Sequence, residues 1–476
     1  MKKILAVILL FCISLFVFSG CEGDSANEII YYEINEMPLT VDPQLASSGA
    51  ELIIARNIYE GLMREDYDGK IVCAAAKEYS ANGKTYTFVL RDDIKWSDEQ
   101  PVTAQDFKYG YNRAKDPVNN APYTEKLKCI NSYNVINNNT LSIELSTGFT
   151  ETQLFEALSL PVLMPCREDF FEECNGRYGM STETTLTNGS YRLRLWDTEN
   201  NKIRIWTNPH YNGNFCAKNS AVIFTKNTDK TAIQRLEDGN VDIAEISTLD
   251  ITKAKQLKLN TAQFENTCWV LVMNDKKYSS ALRQAFAAAF NTDKYSSSLI
   301  EGYNISKDIF PEVVKKGESL SHADIITVSP QTLYKNAVAG LINDNPGEIK
   351  IVYYNDPVMY NALVDIAGNW QNLFGVTVNL IPSDNLSLLQ LQIISPSYDM
   401  CLVPLISADG DKDNYLKYFS TKETDLNKIQ SSLLSSYKII PVAVQNICYA
   451  HTSDLSKLKI SLKTGIVDFS YVIKNS

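Results

Sequence analysis

Histidine is scarce. The chain has three, His210, His322 and His451. None has another His or a Cys at metal-ligand spacing, which argues against a His-rich metal site. Positive charge is also short: 45 Lys and Arg stand against 56 Asp and Glu, for a net charge of −11 and a pI near 5.0. Gripping phosphate backbones needs dense Lys and Arg, so nucleic acid is set aside as a partner. No P-loop, no G-x-G-x-x-G after a strand and no G-x-S-x-G elbow occurs, and the thiols lack C-x-x-C spacing. Nothing supports catalysis or a cofactor. The body has no internal repeat, no low-complexity tract, no Pro/Gly-rich linker and no second long apolar run.

What is present is an ordinary globular composition, 45% hydrophobic and 21% charged over 476 residues. At about 100–200 residues per domain, that length suggests about three domains or two large lobes. The start of the chain indicates the compartment. Met1-Lys2-Lys3 is a basic head, and Ile4 to Phe18 is an apolar run of 15 residues. A membrane-spanning helix needs about 20, so the run fits the core of a secretory signal. Phe18-Ser19-Gly20-Cys21 resembles a bacterial lipobox, with Phe18 for the usual Leu. It implies lipid on Cys21, removal of residues 1–20, and a polar tether over 21–28 that holds the body outside the membrane.

Eight cysteines would remain beyond Cys21: 73, 129, 166, 174, 216, 268, 401 and 448. Their spacing forms no disulfide framework, and a core of this size needs no staples. Cys166 and Cys174 are the closest pair. Most of the eight are expected to be buried thiols. Asp92-Asp93 reads as a solvated turn. The Asp409/Asp411/Asp413 cluster lacks the Glu that closes a calcium loop, since Ser420 stands at the twelfth position.

The first half reads as mixed and rich in strands. Ile29 to Ile34, Tyr86 to Arg91, Leu141 to Leu145, Tyr191 to Trp196 and Lys202 to Trp206 have strand patterns. Glu51 to Met63 has helical spacing at Ile54, Ile58 and Leu62. Thr103 and Asp106 form a capping-box variant that opens a helix through Arg113. Leu282 to Phe290 is amphipathic. Later, Ile349 to Tyr354 is a strand. Pro357 to Phe374 is a helix striped by Met359, Leu363, Ile366, Trp370 and Leu373, and Gly375 ends it before a strand over Val376 to Ile381. This is a βαβ unit and demands a parallel sheet. The 26 Tyr, 18 Phe and 5 Trp serve core packing and suit a cleft for peptides or sugars.

Several blocks fall in one order: V-D-P-Q-L-A-S from Val41, R-N-I-Y-E-G-L-M from Arg56 and D-G-K-I from Asp68. The long block Tyr86 to Phe107 follows, with Glu99 where Gly is usual. Then come T-N-G-S-Y-R-L, N-P-H-Y, L-E-D-G-N-V-D-I-A, L-R-Q-A-F and Y-D-M. Together they resemble the extracellular solute-binding proteins of family 5, the oligopeptide- and dipeptide-binding components of ABC importers. The resemblance implies a two-lobed α/β fold of the periplasmic-binding-protein (type II) kind, with a β-rich insert and a hinge. Lobe I would comprise 29–66, 182–266 and 440–476. The insert would be 67–181, and lobe II 267–439, shortened after 419. Crossover strands are expected near Thr267–Met273 and Ile440–Cys448.

The resemblance further implies a monomer that takes an oligopeptide, delivers it to permease subunits, and is held to the bilayer through Cys21. In such proteins an Asp in a W-x-x-D-like turn receives the peptide's α-ammonium. Asp409 in Ile406 to Asp411 matches it, with Ile406 in the place of Trp. Trp269, Ser247 and Tyr123 fall near other pocket positions. The family's nearby Arg, which meets a peptide carboxylate in some members, has no counterpart, since Cys401-Leu402-Val403 stands there. A second reading keeps the scaffold but binds a nickel chelate, a sugar or another solute, or senses without transport.

Overall fold

The computed structural model describes residues 28–226, 229–290, 295–311, 314, 328–339, 347–394, 396–407, 415–416, 418–419, 426–461 and 464–475. Cys21 and the cluster Asp409, Asp411 and Asp413 lie outside the described residues.

One 11-stranded mixed sheet organises the chain. From one edge its strands run Thr377–Ser383, Glu348–Tyr354, Met400–Ile406, Asn260–Met273, Ile439–His451, Ile243–Ile246, Ile29–Glu33, Ala221–Thr225, Lys202–Thr207 and Tyr191–Asp197. The short strand Tyr303–Ile305 pairs with Ile439–His451 off this path. The two long central strands, Asn260–Met273 and Ile439–His451, are antiparallel partners over nearly their whole length. They contain both segments expected as crossovers.

These two strands divide the sheet. Residues 448–451 of the second pair with Ile243–Ile246, so this end belongs to the half-sheet around Ile29–Glu33. Residues 267–273 of the first pair with Met400–Ile406, so the other end belongs to the half-sheet around Glu348–Tyr354. At the changeover the register slips between Glu265 and Thr267, which leaves Asn266 without a partner in the ladder. A bulge bends its strand and raises its local twist.

The βαβ unit forms as its pattern requires. Glu348–Tyr354 and Thr377–Ser383 pair in parallel around the Pro357–Phe374 helix. Asp356 caps that helix by accepting from the Val358 and Met359 amides at 3.0 and 2.8 Å, and Gly375 closes it in the left-handed region at φ 69°. Met359, Leu363, Ile366 and Trp370 are all buried. Alternation across the 267–273 segment feeds two cores. Trp269, Leu271 and Met273 face the helix-covered side with Leu363 and Trp370. Cys268, Val270 and Val272 face the other side with Leu389, Leu433 and Val403. Burial on both faces explains why this segment reads as an unbroken apolar run.

A separate four-stranded antiparallel sheet, Ala76–Asn82, Thr85–Leu90, Thr140–Leu145 and Ile130–Asn137 in spatial order, shares one core with the first half-sheet. The sequence blocks of the first half dock on one another here. The Asn188 side-chain amide accepts from the Glu60 backbone N–H at 3.0 Å and donates to the Glu60 carbonyl at 2.9 Å. Beside them a Cβ on Gly189 would lie 2.7 Å from the Ile58 carbonyl carbon. Trp96 is fully buried, and its indole N–H donates to Asp106 at 3.2 Å. Asp106 also accepts from the Thr103 amide at 2.8 Å, completing the expected capping box. Glu99 keeps the left-handed backbone that Gly would favour, at φ 70°.

One expectation is corrected. The helix assigned from Glu51 to Met63 is Gly49–Ile58, opened by a Ser48–Glu51 capping box. It stops because Tyr59 turns extended and a Cβ on Gly61 would approach Leu158 O to 2.9 Å. Met63–Glu65 then pairs as a strand with Ile71–Cys73. Asp92 and Asp93 form an exposed turn. Six of the eight described cysteines are buried, Cys166 and Cys174 among them. No helix among the described residues is long and apolar enough to cross a membrane.

Candidate functional site

Strand direction locates the site. Met400–Ile406 runs parallel to Glu348–Tyr354 and antiparallel to the first crossover strand, with Ile406 opposite Thr267. Its carboxyl end therefore reaches the changeover point. Ile243–Ile246 runs parallel to Ile29–Glu33 and antiparallel to the second crossover strand, with Ile246 opposite Cys448. Its carboxyl end reaches the same point from the other side. The two half-sheets thus present carboxyl ends to one another across a pair of shared strands. In open α/β sheets that is where ligands bind, because loops there are free to vary and backbone groups are unspent.

From the first half-sheet come Asn35 and Ser247. Asn35 donates to Glu245 Oε2 at 3.1 Å. Burial pushes the Glu245 carboxyl up, and the Asn35 hydrogen bond offsets only part of this. No Lys or Arg among the described residues pairs with Glu245. Glu33 nearby is also pushed up by burial, against the pull of Arg235, whose Nη1 lies 3.5 Å away. Ser247 is exposed and accepts from the Leu249 amide at 3.2 Å, so it opens a short 3-10 turn.

From the second half-sheet come Asp356, Ile406 and Ser407. Tyr303 links the halves. Its hydroxyl donates to Asp356 Oδ2 at 2.8 Å and is hydrogen-bonded by Thr248, the residue after Ser247. Gly302 permits this approach, since a Cβ there would sit 2.7 Å from Thr248 Cγ2 at a backbone φ of 92°. Tyr303 lies opposite Gln445 in the ladder, and Gln445 accepts from the Trp269 indole N–H at 2.8 Å. The Trp269 ring is 2% exposed and tilts against Tyr354 with centroids 6.2 Å apart. At the bulge, the Asn266 amide donates to Ser407 O at 3.2 Å.

Of the residues chosen from the sequence, Ser247 and Trp269 therefore meet around one changeover, linked through Thr248, Tyr303 and Gln445. Trp269 spends its indole there on packing and on Gln445. Tyr123 sits elsewhere, half-buried against the first core at the head of a 3-10 turn, with φ 62°. Asp409 lies outside the described residues, two positions beyond Ser407. The sequence reading did not single out Asn35, Glu245, Tyr303, Asp356 or Gln445. Asp356-Pro357 was legible as a helix start. The others carry no local signal, since their partners are 53 to 210 residues away. Chemically the arrangement offers carboxylates between two half-sheets joined by two shared strands. It gathers no nucleophile with a base.

Residues 40–427 match the family described as bacterial extracellular solute-binding proteins, family 5 Middle. The oligopeptide-binding protein OppA of Bacillus subtilis is 24% identical over 472 residues, covering 89% of this chain and 85% of that protein. The dipeptide-binding protein of Lactococcus lactis is 28% identical over 274 residues, 53% of this chain and half (50%) of that protein's length. Among solved structures, Listeria monocytogenes OppA bound to peptide superposes with a TM-score of 0.71 at 19% identity, over 95% of this chain and 100% of that one. The substrate-binding protein CtaP of the same organism gives 0.74 at 18% identity, over 94% and 99%.

Proposed function

The chain belongs to the bacterial extracellular solute-binding proteins of family 5 and has their two-lobed type II fold, and from that premise we propose that it captures peptides between its lobes and delivers them to the permease of an ABC importer. The observation that carries this is the pair of half-sheets whose carboxyl ends face each other across two shared strands. Such a cleft can enclose an extended ligand by rotation about the crossovers. The printed names of the relatives, oligopeptide- and dipeptide-binding proteins, supply the ligand class.

In this reading the lobes divide at the boundaries expected from the sequence, with 67–181 as the insert. Asp409 meets the peptide's α-ammonium, and Ser247, Trp269 and Tyr123 belong to the pocket and its supports. A carboxylate and an ammonium brought together in a closing cleft form a charge-assisted hydrogen bond, roughly twice as strong as a neutral one. Glu245, half-buried with no cationic partner among the described residues, adds to the preference for a cationic ligand end. The body is held to the membrane through lipid on Cys21.

Mass spectrometry of ligand released by denaturing the purified protein tests the ligand class. Short peptides are expected. A sugar or a metal chelate in molar proportion would overturn the peptide reading. The anchor is tested separately. Cys21→Ser should free the protein from the membrane fraction or stall its processing, and a variant still cleaved and still membrane-bound would show that the anchor is not there.

A further inference from the structure

The edge of the sheet farthest from the βαβ unit has two unlike faces. Tyr191, Leu193, Ile203, Ile205, Val222, Phe224, Ile30 and Tyr32 all turn inward to the first core. The alternate residues share the opposite face in three cross-strand rows. The first row is Ile29, Ala221, Trp206 and Arg192. The second is Tyr31, Ile223, Arg204 and Leu195, with Arg194 bulged beside it. The third is Glu33, Thr225, Lys202 and Asp197.

This face gathers Arg192, Arg194, Lys202 and Arg204 on a chain whose net charge is −11. None of the four makes an ion pair among the described residues, while the outlying Glu33 is occupied by Arg235. Trp206 is 41% exposed between two guanidinium groups, Arg194 at 5.7 Å and Arg204 at 5.9 Å from its ring centroid. Burial and the like charge of Arg194 push the Arg192 pKa down. Charge on an edge strand also blocks edge-to-edge pairing. That purpose does not require an exposed Trp at the centre, and the acidic residues of the face, Glu33 and Asp197, are confined to its third row.

The chain enters the fold beside this face. Ile29 heads the Trp206 row, and Glu28 O accepts from the Ser220 amide at 3.2 Å. From Cys21 to Glu28 a fully extended chain reaches at most about 25 Å. A lipid on Cys21 would therefore keep the face close to the bilayer.

We propose that the Arg192/Arg194/Arg204 face with Trp206 docks on anionic phospholipid headgroups and sets the orientation of the anchored protein. The inference rests on the anchored-receptor reading above. Guanidinium groups suit phosphate oxygens, and Trp favours the membrane–water interface. An arginine near an anionic surface contributes about fivefold in binding, so three contribute on the order of a hundredfold.

The test uses the chain from Cys21 onward, made without its leader and hence without lipid. Among the described residues, no core draws on a residue before Ile30. Sedimentation at low salt with vesicles of phosphatidylcholine mixed with phosphatidylglycerol should carry the protein down. Pure phosphatidylcholine should not, and added salt should release it. Arg192→Gln/Arg194→Gln/Arg204→Gln should weaken binding about a hundredfold, and the matching Arg→Lys triple should keep most of it. Lys84→Gln/Lys115→Gln/Lys128→Gln removes equal charge elsewhere and should change nothing. Equal binding to both vesicle types, or equal loss in the two Gln triples, overturns the proposal. The assay contains no lipidated cysteine, so it fails or succeeds independently of the Cys21→Ser result.

Discussion

In the first half of the molecule ion pairs are buried, among them Arg64 with Asp468, Arg113 with Asp42, and Arg91 with Glu60, each with at least one side chain 2% exposed or less. Around the Glu348–Tyr354 strand, the corresponding pairs among the described residues sit at the surface. Lys277 with Asp399 has its cation 51% exposed, and Lys438 with Asp275 is 27% and 37% exposed. There the buried Arg283 is met by the backbone carbonyls of Tyr278 and Ser436. The difference follows from connectivity. The second half is built mainly from a contiguous βαβ segment, whose apolar period already specifies which faces meet. The first is assembled from pieces hundreds of residues apart, and Arg64 and Asp468 are 404 apart. The Arg64–Asp468 contact ties two of those pieces together. Arg64 donates twice to Asp468 and once to Ser470 and stacks on Phe215 at 4.6 Å.

The largest test of this contrast deletes one cation from each half. Arg64→Met strands Asp468 in the interior and should cost about 3–5 kcal/mol. Lys277→Met removes an exposed partner and should cost about 1 kcal/mol or less. Urea unfolding measures both, and equal losses would break the comparison. Acid sharpens it. Burial alone would raise the Asp468 carboxyl, but the Arg64 charge outweighs it and holds the pKa below the usual range. A lowered folded value gives stability that is present above about pH 4 and lost as pH falls through the folded pKa. The gap between parent and Arg64→Met should therefore narrow in acid.

Asp356→Ala comes next. It removes the cap of the Pro357–Phe374 helix and the acceptor for Tyr303, and should cost about 1–2 kcal/mol. Glu99→Gly should stabilise by about 0.5–1 kcal/mol. Relief of left-handed strain there exceeds the added chain entropy of Gly. Both read out as shifts in the urea midpoint.

Glu245→Gln probes the cleft end of the first half. Its folded pKa is raised, so the parent's relative stability is full below about pH 4 and declines as pH rises through the folded value. The variant should match the parent in acid and exceed it at neutral pH. Thermal melts across pH check this, and a variant less stable at neutral pH would mean that the carboxylate has a cationic partner.

What the sequence revealed tracks the range of each interaction. The Thr103–Asp106 capping box, the 357–374 stripe and its Gly375 stop are local, and all were legible. The end of the Gly49–Ile58 helix was not, because Gly61 stops it by contact with Leu158 O, almost a hundred residues on. The ordered blocks pointed to the fold, while the reasons for them became visible only when Asn188 met Glu60 and Asp42 met Arg113. Ser247 and Trp269, picked out by resemblance, both lie near the changeover. Tyr303, Gln445 and the Asn266 bulge follow from strand register, which no single sequence window encodes.

The central claim is that a peptide's α-ammonium is held at Asp409 in the cleft between the lobes. Calorimetry with one peptide, free and N-acetylated, against the parent and Asp409→Asn tests it most directly. Loss of a buried charge partner costs about 3–5 kcal/mol, a hundredfold or more in affinity. Acetylation should weaken the parent by about that factor, the substitution should do the same, and the two together should add little, since both remove one contact. Free and acetylated peptide binding the parent equally well would contradict the account.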